Sequence, residues 1–64
     1  MTIAIEGMHS AACEQRVRRA LQQVSGLQVR DVTLGAAVVD GHSGQRAAAL
    51  KAIEGAGFQP HIAA

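Results

Sequence analysis

Hydrophobic and polar positions alternate over Thr2-Ile3-Ala4-Ile5-Glu6, with two β-branched isoleucines on one side. Such a run predicts a strand with one buried face. Gly7 ends it, and residues 7–11 read as a loop in which Ser10 is placed to cap a helix. The period then changes. Cys13, Val17, Ala20, Leu21 and Val24 recur at helical spacing. At about 100° per residue they form one apolar stripe along a helix over 11–24. Gln15, Arg16, Arg18, Arg19 and Gln22 take its flanks and opposite face, and Ser25-Gly26 stops it.

Residues 27–34 read as a second strand containing Val29, Asp31 and Val32, and Gly35 as a turn. Ala36 to Asp40 follows as a third strand, led by Val38 and Val39, so the pair predicts a hairpin. Gly41-His42-Ser43-Gly44 is a loop with Ser43 as candidate N-cap. An Ala-rich helix is predicted over 45–55, with Ala49, Leu50 and Ile53 inward and Gly55-Ala56-Gly57 closing it. Residues 58–63 form a short last strand, and Pro60 predicts that it lies at a sheet edge.

The order β-α-β-β-α-β predicts an α+β, ferredoxin-like sandwich: a four-stranded antiparallel sheet with both helices on one face. A single domain is expected over residues 1–64. The topology brings three connections to one end: the first strand–helix loop, the hairpin turn and the loop before the last strand. The loop holding His42 lies at the other end.

Composition narrows the function. A chain of 64 residues makes one small domain, which buries only about 60% of its unfolded surface. One cysteine makes no internal disulfide, and no signal peptide is read, so a reducing, cytoplasmic setting is expected. No apolar run is long enough to cross a bilayer. A net charge of +1, with one Phe and no Trp or Tyr, argues against nucleic acid as a partner. A phosphate-binding Gly loop, a Ser/His/Asp set and a carboxylate pair at one end are all missing, so no enzyme is expected.

The candidate chemistry sits in Gly7-Met8-His9-Ser10-Ala11-Ala12-Cys13. Cys13 falls in the first turn of a helix, where unpaired N–H groups and the helix dipole favour an anion. A lowered thiol pKa is therefore expected, and a thiolate is a soft ligand suited to Cu(I). The alternative is that Cys13 is a small buried hydrophobe at the head of the apolar stripe.

These residues resemble the heavy-metal-associated domain family, which contains small copper chaperones and metal-binding domains of copper-transporting P-type ATPases. The family opens with a strand, Gly-Met-x-Cys-x-x-Cys and a helix carrying Val and Ala-Leu. Here Gly7-Met8 and Cys13 are followed by Val17 and Ala20-Leu21. The later Ala-Ile-x-x-Ala-Gly-Tyr/Phe pattern has its counterpart in Ala52-Ile53, Ala56-Gly57 and Phe58. The resemblance covers essentially the whole chain. It implies Cu(I) bound and passed to a partner such as a copper-transporting ATPase. Ser10 stands where the family has its first cysteine, and a hydroxyl is a poor ligand for Cu(I). Three arrangements complete the site: His9 as second ligand beside Cys13, two Cys13 residues sharing the metal in a homodimer, or an external thiol such as glutathione. The resemblance puts Met8 in the core and Phe58 beside the site as a shield.

His42 and His61 read as surface residues, the latter about 10 Å from the metal end at strand spacing. Arg16, Arg18 and Arg19 form either a solvated helix face or a docking surface for an acidic partner. Two other functions stay open: an interaction module that keeps the fold without metal, and a single-thiol redox protein needing an external partner.

Overall fold

The computed structural model describes residues 1–63, so Ala64 of the expected domain lies outside the described residues. The element order is β1 (Thr2–Glu6), α1 (Ala11–Gln22), β2 (Gln28–Thr33), β3 (Ala36–Asp40), α2 (Ser43–Gly55) and β4 (Gln59–Ala63). The four strands form one sheet in the order β2-β3-β1-β4, and every neighbouring pair is antiparallel. This is the expected ferredoxin-like architecture, and β4 with its Pro60 is an edge strand.

Alternation decides which face is buried. Ile3 and Ile5 of β1, Val32 of β2, and Ala37 and Val39 of β3 point into the core. Val17 and Leu21 of α1, Ala49 and Ile53 of α2, and Phe58 meet them there. Of the predicted α1 stripe, Val17 and Leu21 are fully buried, while Cys13, Ala20 and Val24 are half-buried. No polar or charged residue among those described is buried. Burial of apolar area is thus the main contribution holding the two layers together.

Several element ends differ from expectation. α1 stops at Gln22, not at residue 24, because the chain tightens: the Gln23 N–H goes to the Ala20 carbonyl at 3.3 Å, a three-residue step. Further tight turns follow, from Val24 N–H to Leu21 and from Leu27 N–H to Val24. β2 is shortened by one residue at each end and bulged between Val29 and Asp31. α2 begins two residues earlier than expected, at Ser43, and its N-cap is His42. Ser43 is therefore not the cap. The Gln45 side chain accepts the His42 backbone N–H at 3.0 Å, closing the first turn one residue earlier.

Gln45 also staples the far end of the sandwich. Its amide donates to the Ser25 carbonyl at 3.0 Å, tying the α1–β2 connection to the start of α2. Gly26 makes room for it. A Cβ on Gly26 would lie 2.1 Å from Gln45 Nε2, and the residue's φ of +79° is in the region that favours glycine.

Candidate metal centre

The loop between β1 and α1 is held from two sides. Gly35, in the β2–β3 turn, accepts the Ile5 N–H at 2.8 Å and donates its own N–H to the Met8 sulfur at 3.4 Å. Met8 is half-buried against the core, so its thioether is already engaged in fastening the loop. From the other side Phe58 packs beside Gly7, where a Cβ would meet the ring edge at 3.6 Å. The three connections expected to share one end therefore do so.

α1 begins with Ser10 as its N-cap residue. The Ser10 carbonyl accepts the Cys13 N–H at 3.0 Å and the Glu14 N–H at 3.3 Å. Its side chain makes no capping hydrogen bond to the helix. The hydroxyl is turned instead to the Cys13 sulfur, 3.7 Å away. Position on the helix was legible in the sequence; the use made of the hydroxyl was not.

Cys13 is half-buried, with its side chain against the core on one side and the loop on the other. Its thiol is held below the ordinary range. The His9 backbone N–H is the largest cause, followed by the Ser10 hydroxyl. Partial burial opposes them, and the Ser10 backbone and the Arg16 charge add smaller lowering effects. Each donor favours the charged form by hydrogen bonding to it.

The structure brings the Ser10 and Cys13 side chains together at 3.7 Å, with His9 the residue before Ser10 in the same loop. His9 is exposed, and among the described residues its imidazole has no hydrogen bond or ion pair. His42 lies at the opposite end of the sandwich as the α2 N-cap. His61 is on β4, exposed, with Nε2 2.6 Å from a Glu6 carboxylate oxygen. Among the described residues no group of three or more His, Cys, Asp or Glu is arranged to share a metal ion.

Arg16 has a place that sequence reasoning did not assign. It is exposed, in keeping with a surface position, and it also reaches the α2–β4 loop. Its guanidinium donates to the Ala56 carbonyl at 3.1 Å and sits over the Phe58 ring, 5.5 Å from the centroid. The available signal was its position one helical turn after Cys13.

A heavy-metal-associated domain model matches residues 2–59. The chain belongs to the heavy-metal-associated domain family. Domains of this family are typically non-catalytic modules that bind heavy-metal ions. The fold has solved counterparts. The N-terminal domain of PacS from Synechocystis PCC6803 is 32% identical, with a TM-score of 0.81 over 98% of this chain and 94% of that one. The C-terminal metal-binding domain of CopA is 34% identical, with a TM-score of 0.77 over 92% of this chain and 81% of that one. No curated protein matches the chain. In this heavy-metal-associated domain, no helix among the described residues is long and apolar enough to cross a membrane.

Proposed function

We propose that this heavy-metal-associated domain binds Cu(I) through Cys13 and His9 and hands it on by ligand exchange. The observation that carries this reading is the Ser10 hydroxyl turned to the Cys13 sulfur, 3.7 Å away at the first turn of α1, beside a thiol held below its ordinary range. A thiolate prepared in this way is a soft donor for a soft cation. His9 is the adjacent donor, exposed and uncommitted. Two protein donors suit a low-coordinate Cu(I) ion better than zinc, whose structural sites take four protein ligands.

In this reading Ser10 occupies the first cysteine position of the family motif. The hydroxyl then supports the remaining thiolate and does not ligate. With one protein thiolate, the site holds Cu(I) less tightly than a two-thiolate site, which favours buffering and release. Transfer begins when a partner thiolate forms a bond to the metal; the Cys13–metal or His9–metal bond then breaks, and Cys13 retains its electron pair. The receiver is a copper-handling protein such as a copper-transporting P-type ATPase. Similarity to the metal-binding domain of CopA and to the N-terminal domain of PacS supports it. The cytoplasm is the compartment that keeps a lone thiol reduced.

An anaerobic Cu(I) titration against a chromophoric chelator tests the proposal on wild type, Cys13→Ala and His9→Ala, with native mass recorded alongside. One-to-one binding lost in Cys13→Ala and weakened in His9→Ala is expected. Unchanged affinity in His9→Ala, with a copper-bridged dimer or a glutathione adduct in the mass spectrum, removes His9 from the site. No competitive binding by wild type overturns the copper reading and leaves an interaction module.

A further inference from the structure

The α2–β4 loop is fastened to its own helix but only lightly to the rest of the molecule. Ala56 N–H goes to Ala52 and Ile53, Gly57 N–H to Glu54, and Phe58 N–H to Ile53. These bonds all return to the end of α2. The glycines on either side of Ala56 touch little: a Cβ on Gly55 or Gly57 would meet nothing within 4 Å. The tie from this loop to α1 is Arg16. Its guanidinium holds the Ala56 carbonyl at 3.1 Å and covers the Phe58 ring at 5.5 Å. Phe58 in turn lies against Gly7, the first residue of the loop that leads to Cys13. Arg16 and Cys13 are one turn apart on α1, so one side chain joins the helix carrying the thiol to the α2–β4 loop, whose Phe58 lies against the start of the thiol loop.

We infer that Arg16 is a positioning residue for the Cys13 site: it clamps Ala56 and Phe58 beside the thiol loop and so limits the size of molecule that reaches the sulfur. The clamp applies to any incoming reagent. Its consequence for metal exchange, slower attack by bulky competing ligands, rests on the copper reading above.

The clamp is read without metal by alkylating Cys13 with two neutral reagents, small iodoacetamide and bulky N-phenylmaleimide. Both react through the same thiolate, so the ratio of their rates cancels any change in thiolate population and reports access alone. In Arg16→Met the bulky-to-small ratio should rise about fivefold, the scale of one exposed cation–π contact together with one solvent-facing hydrogen bond. Arg16→Lys, which keeps a cation over the ring, should return the ratio at least halfway. Thermal unfolding of each variant confirms that the fold is kept. A ratio in folded Arg16→Met equal to wild type overturns the clamp. Copper loading of the same proteins separates the two proposals. A raised ratio in a chain that binds no Cu(I) keeps the clamp and sinks the copper role. An unchanged ratio in a chain that binds Cu(I) does the reverse.

Discussion

The Ser10 hydroxyl lies 3.7 Å from the Cys13 sulfur, while the same residue's carbonyl accepts the Cys13 N–H at 3.0 Å. A residue at the N-cap position thus contacts the thiol through its side chain and the helix through its main chain. Removing the hydroxyl withdraws a donor from the thiolate but leaves the main-chain bond. In Ser10→Ala the Cys13 pKa should therefore rise toward the ordinary thiol value, because the hydroxyl favours the charged form. Thiolate absorbance followed against pH reads the shift. A midpoint that stays put or falls would count against this role for Ser10. The sign for stability follows. A depressed folded-state pKa makes Cys13 stabilising above the ordinary thiol range, and that contribution is lost as pH falls through the depressed value.

His9→Ala should separate binding from folding. The imidazole is exposed and unpaired among the described residues, so its removal should change stability by less than about 0.5 kcal/mol. Cu(I) affinity should nevertheless fall. Urea unfolding and chelator competition on the same preparation check the two halves. An equal loss in both would make His9 a structural residue.

The far end offers a test of packing. Gly26→Ala places a Cβ 2.1 Å from Gln45 Nε2 and forces alanine into a positive φ. A cost of about 1–2 kcal/mol from the backbone alone is expected, with the clash in addition. Gln45→Ala removes the clash, so the double variant should be less destabilised than the sum of the singles. Denaturant midpoints of the four proteins in this cycle decide it; strict additivity would mean that the two side chains do not meet.

Leu21 is fully buried between α1 and the sheet. Leu21→Ala should cost about 2–5 kcal/mol by lost transfer energy and the cavity left behind. Small domains have total stabilities near the low end of about 5–15 kcal/mol, so this variant should be largely unfolded at moderate temperature. Circular dichroism on heating shows it; a midpoint within a few degrees of wild type would contradict the packing described.

Arg30 and Asp40 pair between the edge strand β2 and its neighbour β3, and the Arg30 guanidinium holds the Asp40 carboxyl below the usual carboxylate range. The pair is exposed, so its contribution is small. Its pH dependence has a definite sign. Stabilisation is present above the ordinary carboxylate pKa and lost as pH falls through the depressed value. The stability difference between wild type and Asp40→Asn should therefore shrink in acid. A difference that grows in acid would reverse the assignment.

Much of the fold was legible because it follows from periodicity. Ile3 and Ile5 two residues apart, and Val17 and Leu21 four apart, each specify an element and its buried face. Side-chain preference alone points to Ser43 as the α2 cap; His42 takes that place because Gln45 reaches back to the His42 N–H and across to Ser25, which depends on the folded turn. The Cys13 thiol was legible as a candidate from its place at a helix start. Its two principal donors were not: the His9 N–H and Ser10 hydroxyl meet the sulfur only once the loop is folded.

The sequence by itself determined the order of elements, the faces they bury and the end of the sandwich where Cys13 sits, since these depend on local period and chain connectivity. Only the tertiary structure decided that Met8 sulfur is taken by Gly35, that Ser10 turns to the thiol, and that Arg16 crosses to Ala56 and Phe58. The Met8 and Arg16 contacts join residues 27 and 40 positions apart. The Ser10 contact is local, but it hangs on which way a side chain turns as the first helical turn forms. No periodicity records such choices, because they are made by the packing of loops against one another.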